Sequence, residues 1–307
     1  MNYFPLKPLQ LLWLDWNIHL RPPTSVTCRP WGAGSETPIE TVSLSTPFNL
    51  SCRFSDDRYC VGSFDLNERL TACRRAARVQ GSMDQCNECF KVDPAQECTI
   101  CRGECDLPNE HCILPHIVYL AAFTPTDIKV GVCRQERFEK RIAEQGALMA
   151  IPIAQADDGR VARKLEAKIQ SKFGVPDKPR AKARLSGFRP NQDVEAFARL
   201  LVGVRSQVFS LPELDGVHYL DNREPLDLLT PYNDSVSDFV DFVPQWISVR
   251  ETKTIRASVV AIKGWDLLLR IGESFYVLRF KEIVGRVISP VGLAKQVRQA
   301  TFADFHL

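Results

Sequence analysis

Several features that would assign the chain to a familiar class are lacking. No stretch approaches the ~20 apolar residues that a membrane-spanning helix needs. Lys7 is the only early cation among the first residues, and Asp15 and His19 interrupt their apolar run, which does not fit a signal peptide. There is also no Walker pattern, no dinucleotide-binding glycine pattern and no convincing Ser/His/Asp constellation. We therefore expect a cytoplasmic protein without a membrane partner, whose chemistry comes from other residues.

An excess of charge is lacking too, since the net charge is only +2, but the charges are unevenly distributed. Residues 160–189 contain ten Lys/Arg and two acidic residues, a balance of +8, whereas residues 190–250 contain four Arg and ten acidic residues, a balance of −6. A basic segment is typical of phosphate contact, because cations neutralise the backbone of a nucleic acid and release its counterions. The alternative is a solvated face that the acidic segment neutralises internally.

Cysteine, by contrast, is abundant. The chain has 11 cysteines, and QCNEC and ECTIC are each C-x-x-C pairs with eight residues between them. Close pairs of thiolates suit one tetrahedral zinc ion. Disulfides would need an oxidising compartment, for which no export signal exists, and the total is odd. Eight of the cysteines lie in one stretch, and these are the candidate metal ligands: Cys60, Cys73, Cys86, Cys89, Cys98, Cys101, Cys105 and Cys112.

These eight thiolates would satisfy two sites, although one ion with some spectator cysteines is an open alternative. The safest ligands are Cys86, Cys89, Cys98 and Cys101, and a second site would combine Cys105 and Cys112 with Cys60 and Cys73. His111 or His116 replacing one cysteine is a further alternative, while an iron–sulfur cluster is less favoured by pairs spread this way. Four thiolates leave no open position for a substrate, so we expect structural zinc.

A strand, turn and strand pattern follows the cysteines. Residues 117–120 and 128–132 are rich in β-branched side chains and are separated by TPTD at residues 124–127, which predicts a hairpin. Residues 134–147 have the pattern of an amphipathic helix. A second helix is predicted from residues 157–158 to Phe173, with Gly174 ending it.

This arrangement resembles the core of the GIY-YIG nucleases. IVY at residues 117–119 stands for GIY, KVG at residues 129–131 stands for YIG, Arg141 stands for the catalytic arginine, and Glu166 stands for the metal ligand. The longer pattern, with cysteines before HxVYLA, ERxxxR, EQGA and RxLE, is similar to an uncharacterised family, a domain of unknown function, that joins a cysteine-rich zinc segment to a GIY-YIG-like domain.

The resemblance implies a set of catalytic roles. Glu166 would bind one Mg²⁺ or Mn²⁺, Tyr119 would orient or deprotonate the attacking water, and Arg141 would neutralise the transition state. Lys129, which replaces the second tyrosine of the family pattern, would ease loss of the Tyr119 proton or hold phosphate. The alternative for Glu166 is a surface ion pair with Arg163 or a contact with Gln170.

The charged segments around this core supply candidate nucleic-acid contacts. They are Arg134 and Arg137 on the first helix and Lys178, Arg180, Lys182 and Arg184 in a basic loop or arm. Phe188 would add stacking on a base. A plain linker is the alternative for this loop.

These observations predict an α+β protein in four parts. They are an N-terminal β unit (residues 1–58), the cysteine-rich zinc-binding segment (59–115), the GIY-YIG-like α/β domain (116–190) and a C-terminal helix and antiparallel β domain (191–307). The last part contains a helix from Asp193 to Leu201, a meander over residues 254–280, and a closing helix over residues 291–300.

The predicted function is metal-dependent hydrolysis of phosphodiester bonds in DNA or RNA. The competing hypothesis is a non-catalytic nucleic-acid-binding or assembly protein that keeps the fold, because Lys129 and Gln145 stand where the family has a second tyrosine and often a histidine. A third is a site for a small phosphorylated ligand or a protein.

Overall fold

The structure is a computed structural model that describes residues 3–16, 24–31, 39–65, 67–81, 83–94, 103–104, 110–239 and 242–291. Cys98, Cys101, Cys105 and nearly all of the predicted closing helix lie outside the described residues. Within the described ranges the protein is α+β with two large sheets, and the predicted fold class is confirmed.

The described part of the chain contains eighteen strands, seven α-helices and a short 3-10 helix at Gln135–Arg137. The strands are β1 (Tyr3–Phe4), β2 (Leu9–Trp16), β3 (Thr24–Pro30), β4 (Glu40–Leu44), β5 (Phe48–Tyr59), β6 (Ser63–Phe64), β7 (Leu70–Thr71), β8 (Arg78–Val79), β9 (His116–Thr124), β10 (Asp127–Arg134), β11 (Met149–Ala156), β12 (Val217–Tyr219), β13 (Leu226–Asp227), β14 (Gln245–Trp246), β15 (Thr254–Lys263), β16 (Asp266–Ile271), β17 (Ser274–Arg279) and β18 (Arg286–Pro290). The helices are α1 (Asn87–Val92), α2 (Phe138–Gln145), α3 (Gly159–Phe173), α4 (Ala181–Ser186), α5 (Val194–Val208), α6 (Leu229–Val236) and α7 (Phe280–Ile283).

The larger sheet joins strands from both ends of the chain. Its eleven strands run in the order β14-β17-β16-β15-β5-β18-β2-β3-β4, with β1 and β8 also paired to β5. β5 therefore lies between β15 and β18, although about 200 residues separate it from them in sequence. The sequence-based boundaries at residues 58 and 191 separate strands that the structure places in one sheet over one apolar core.

The smaller sheet contains the predicted hairpin. Its order is β10-β9-β11-β12, with β13 also paired to β11, and β9 is buried along almost its whole length. Even-numbered residues of β9, such as Val118 and Leu120, share a core with α3 and α5. Odd-numbered residues, such as Tyr119 and Phe123, pack with Ile142 of α2. A central strand covered on both faces explains why its sequence is an unbroken apolar run.

Local signals fix the ends of the helices that flank this sheet. Asp158 caps α3 by accepting a hydrogen bond from the backbone N–H of Val161, and Gly174 ends the helix at φ 65°. Gly146 ends α2 in the same left-handed conformation, at φ 71°. These boundaries confirm the two predicted helices, while α5 continues to Val208, seven residues beyond the predicted end at Leu201.

Among the described residues, no helix combines the length and the apolar character needed to cross a membrane.

Candidate functional site

Four of the predicted metal ligands converge next to β5. The ligand atoms of Cys60, Cys73, Cys86 and Cys89 all lie within 4.8 Å of one another. Cys86 is the N-cap residue of α1, and its backbone N–H donates a hydrogen bond to Cys60 Sγ at 3.1 Å. Zinc bound at about 2.3 Å by four thiolates holds the sulfur atoms roughly 3.8 Å apart, so this quartet fits a tetrahedral site. Burial raises the pKa of the Cys60 thiol to about 11, which makes a bound cation the natural partner of a thiolate there.

The pairing of these cysteines differs from the one that the sequence favoured. Cys86 and Cys89 join Cys60 and Cys73, the two ligands that had been assigned to a separate site. Cys112 lies elsewhere, against the first residue of α3, where its carbonyl accepts a hydrogen bond from Gly159 N–H. Its sulfur and the ring of His116 both approach Gly159 closely. The close spacing of Cys86 and Cys89 predicted that these two residues share one site. The tertiary structure determines that Cys60 and Cys73 are the other two members of the quartet.

A cavity of about 1000 Å³ lies between the smaller sheet and the larger one. All four candidate catalytic residues line it: Tyr119 from β9, Lys129 from β10, Arg141 from α2 and Glu166 from α3. The opposite wall comes from the larger sheet and includes Trp13, Trp265 and Asp266. The structure thus brings together residues that the sequence distributed over four elements.

Tyr119 and Gly131 form the floor of the charged end of the cavity. The two residues are paired across β9 and β10, and a Cβ added at Gly131 would lie 2.5 Å from the Tyr119 hydroxyl oxygen. Only glycine leaves room for the tyrosine ring at this position. The Tyr119 hydroxyl accepts a hydrogen bond from Gln145 Nε2 at 2.6 Å, so the residue in the place of the family histidine touches the tyrosine.

Burial controls the protonation of both Tyr119 and Lys129. Tyr119 is only 1% exposed, and burial raises the pKa of its hydroxyl well above the usual range, which leaves it neutral at physiological pH. Lys129 is itself buried: its Nζ lies 5.7 Å from the centre of the Tyr119 ring and donates a hydrogen bond to the Asp177 carbonyl. Burial, reinforced by the neighbouring Arg141, lowers the pKa of Lys129 to about 8.

Glu144 holds two arginines of the site. Its carboxylate, which is 2% exposed, receives Arg137 Nη2 at 3.0 Å and Arg141 Nη1 at 3.2 Å. Glu144 was not among the predicted site residues. Its spacing of three residues from Arg141 nevertheless puts the two side chains on one face of α2. A buried carboxylate between two guanidinium groups fixes Arg141 at the cavity wall.

Glu166 is also engaged in an ion pair. Its Oε2 lies 2.7 Å from Arg163 Nη1, the partner that the alternative hypothesis named. Unlike the solvated residue of that hypothesis, however, Glu166 is buried and lines the cavity. Glu166 can both pair with Arg163 and line the cavity, because the two residues share the face of α3 that borders the cavity.

The candidate nucleic-acid contacts are divided among different surroundings. Arg134 and Arg137 pair with Glu68, and Arg184 pairs with Asp266. Lys178 lines the cavity, whereas Arg180 and Lys182 are exposed near α4.

The prediction of a basic loop or arm over residues 178–184 is wrong, because much of this segment is helical. Residues 181–186 form α4, and Phe188 is fully buried, with its ring against Tyr232 and beneath Lys263 Nζ. Phe188 therefore cannot stack on a base. Its flanking charges suggested exposure, but Tyr232 of α6 and Lys263 of β15 cover the ring.

Comparisons with known proteins identify a family for the chain but indicate no activity. A search of the curated proteins and a search of the solved structures each return no match. A model of one family matches residues 48–288, which span β5 to β18 and include both the cysteine quartet and the cavity. The chain belongs to that family, described as "Protein of unknown function (DUF2797)".

Proposed function

We propose that the cavity binds a phosphodiester of DNA or RNA and hydrolyses it in a GIY-YIG-like site, in a protein that the cysteine quartet stabilises with one structural zinc ion. The observation that carries this proposal is that Tyr119, Lys129, Arg141 and Glu166 line one cavity. Their order along the chain, on two hairpin strands and two following helices, is the order that the resemblance requires.

Glu166 is the residue suited to a divalent cation. Arg163 binds its Oε2, and Oε1 is the oxygen that we assign to the metal. A single carboxylate fits Mg²⁺ or Mn²⁺, since these ions keep several waters and share the phosphate oxygens of their substrate. Such an ion, when bound, polarises the phosphate and stabilises the leaving oxygen.

The other three residues act through hydrogen bonds and charge. Tyr119 accepts from Gln145 and is neutral, so its hydroxyl proton donates to a phosphate oxygen or a water and does not act as a base. Lys129 is cationic below about pH 8 and Arg141 at all relevant pH values, and both face the same cavity. They stabilise the negative charge of the phosphate, with Glu144 holding Arg141 in place.

A second candidate is phosphodiester binding without cleavage. It is supported by the internal pairing of Arg141 with Glu144 and of Arg163 with Glu166, which leaves less unbalanced charge for a reaction. In this case affinity falls by orders of magnitude between low and physiological salt, as phosphate contacts require.

The deciding experiment compares the zinc-loaded wild type with Glu166→Gln on labelled single-stranded, duplex and branched DNA and RNA, with and without Mn²⁺. Glu139→Gln is the matched control, because Glu139 is an exposed carboxylate on α2. We expect cleavage by the wild type and the control, and a loss of about a hundredfold or more in Glu166→Gln. Cleavage that survives in Glu166→Gln removes the catalytic assignment. Salt-sensitive binding by all three proteins without cleavage supports the second candidate.

A further inference from the structure

We propose that the cavity takes single-stranded nucleic acid and stacks an unpaired base on Trp13, Trp265 and Phe64, which we call the aromatic wall. This inference rests on the proposed function, because it places bases beside the phosphate-binding residues of the same cavity. Neither the resemblance nor the family indicates whether the nucleic acid is single-stranded or a duplex, and this proposal specifies a single strand.

The aromatic wall is a continuous row that faces the cavity. The ring centres of Trp13 and Trp265 are 4.4 Å apart, and those of Trp13 and Phe64 are 4.6 Å apart, both in edge-to-face geometry. All three side chains line the cavity and are only partly buried. Trp265 also packs against Phe280 of the core beneath it, with ring centres 5.9 Å apart, so the wall is held in place from behind.

Contacts within the fold connect this wall to the charged end. Trp13 and Asp15 are two residues apart on β2 and both line the cavity, and Asp15 pairs with Lys140 at 2.9 Å. Lys140 precedes Arg141 on α2. Trp13 and Arg141 therefore lie on two elements that this ion pair joins, and both line the cavity.

Trp265 is connected to Tyr119 through the end of α2. It follows Gly264, whose position for an added Cβ lies 2.4 Å from the backbone nitrogen of Gly146. Gly146 in turn follows Gln145, which binds the Tyr119 hydroxyl. Two independent contacts thus join the elements that carry the wall to the elements that carry Arg141 and Tyr119.

The size of the cavity selects against a duplex. A volume of about 1000 Å³ is at the upper end of pockets for small molecules, which run from about 300 to 1,000 Å³. It holds one or a few nucleotides, whereas stacked base pairs do not expose their faces to protein side chains. Aromatic stacking combined with cations is the usual way in which proteins hold single strands.

Asp266, the residue that follows Trp265, offers a polar contact to such a base. Asp266 receives Arg184 through its Oδ2, while its Oδ1 is buried and has no hydrogen-bond partner among the described residues. Asp266 lines the cavity directly after Trp265. A ring or exocyclic N–H of a stacked base is a suitable donor for this oxygen.

The test measures binding of labelled ten-nucleotide strands without Mn²⁺: a thymidine strand, an abasic strand of the same length, and the thymidine strand in a duplex. The variants are Trp13→Leu, Trp265→Leu and, as the control, Trp31→Leu, since Trp31 contacts Tyr59 outside the cavity. Trp13→Phe keeps a stacking surface. Zinc content and the circular dichroism spectrum report folding.

We expect the wild type to bind the thymidine strand about tenfold or more tightly than the abasic strand or the duplex. Trp13→Leu and Trp265→Leu should lose about tenfold for the thymidine strand and nothing for the abasic strand. Trp31→Leu and Trp13→Phe should retain most of the affinity.

The failures of the two proposals differ. Equal affinity for the thymidine and abasic strands, with both weakened by Lys129→Ala, overturns the aromatic wall and leaves the phosphate site standing. Tighter binding of the duplex also overturns it. Absence of binding to all three probes overturns the aromatic wall. The phosphodiester proposal falls as well only if the wild type also neither binds nor cleaves the DNA and RNA panel with Mn²⁺.

Discussion

At the scale of the residue, burial changes the chemistry that a residue type suggests. Tyr119 was assigned as an orienting group or base, but burial raises its pKa and makes it a neutral donor. Lys129 keeps a charge only below about pH 8, for the same reason. Sequence identifies which groups are available, whereas their protonation follows from the solvent that the fold removes.

Lys263 shows how burial couples to stability. Its Nζ lies 4.2 Å from the centre of the Phe188 ring and donates to the Arg184 carbonyl. Tyr232, Arg184 and Asp266 are the ionisable groups around it, and burial lowers the pKa of Lys263 to about 7.

We expect stability to rise between about pH 7 and 10 because of Lys263. In this window the unfolded lysine, with a pKa near 10.4, holds a proton that the folded one has lost, so raising the pH favours folding. Below pH 7 both states are protonated and the penalty is fully present. Urea unfolding at pH 6, 7.5 and 9 should show a smaller rise for Lys263→Met than for wild type. Lys253→Met, at an exposed site, should behave like the wild type; equal slopes in all three proteins would contradict the assignment.

The cysteine quartet leads to a second prediction at the scale of the residue, which concerns zinc binding. Cys73→Ser removes one of four ligands, so we expect it to lose the bound zinc and to destabilise residues 60–92, since short loops around a metal have little apolar core. Metal content measured on the purified protein and proteolysis of this segment provide the readout. Cys133→Ser is the control, because Cys133 lies in β10 outside the quartet. Full zinc content in Cys73→Ser would exclude this residue as a ligand.

At the scale of the element, local signals located the helices and strands, and contacts set where they lie. Asp158 and Gly174 bound α3 as expected from capping. The meander predicted over residues 254–280 is confirmed, because β16 pairs antiparallel with both β15 and β17. Nothing local indicated that the turn between β15 and β16 would contact the end of α2.

That contact is testable with two glycines that share one conformation. Gly264 (φ +59°) lies against the backbone of Gly146, whereas Gly272 (φ +60°) has no atom within 4 Å of an added Cβ. Both alanine variants incur the same left-handed strain, but only Gly264→Ala displaces α2. We expect Gly264→Ala to lower the free energy of unfolding by about 1–3 kcal/mol more than Gly272→Ala, measured by urea unfolding. Equal losses would show that the turn does not dock α2.

At the scale of the whole molecule, residues on both sides of the predicted boundary at residue 190 belong to one apolar core. The core beneath β9 includes Phe197, Leu201 and Val208 of α5 and Leu268 of β16. These residues lie beyond the boundary placed at residue 190. The basic segment (160–189) and the acidic segment (190–250) meet at this boundary, but the apolar faces of later elements complete the same core.

We therefore expect a fragment of residues 116–190 to remain unfolded. Without α5 and α6, the apolar face of the smaller sheet is exposed to water, at a cost of about 25 cal/mol for each Å². Amide chemical-shift dispersion and a cooperative thermal transition should be present in the full chain and absent in the fragment. A fragment that unfolds cooperatively would show that the sequence-based boundary is a true domain limit.

The sequence by itself determined features that depend on neighbours within a few residues. These are the hairpin at β9 and β10, the ends of α3, the C-x-x-C pair of the quartet and the four residue types of the candidate site. Only the tertiary structure decided that Cys60 and Cys73 complete the quartet, that β5 pairs with β15, and that Phe188 is buried while Trp13 faces the cavity. Propensity, capping and spacing act locally, whereas pairing and burial depend on surfaces that meet only when distant segments pack.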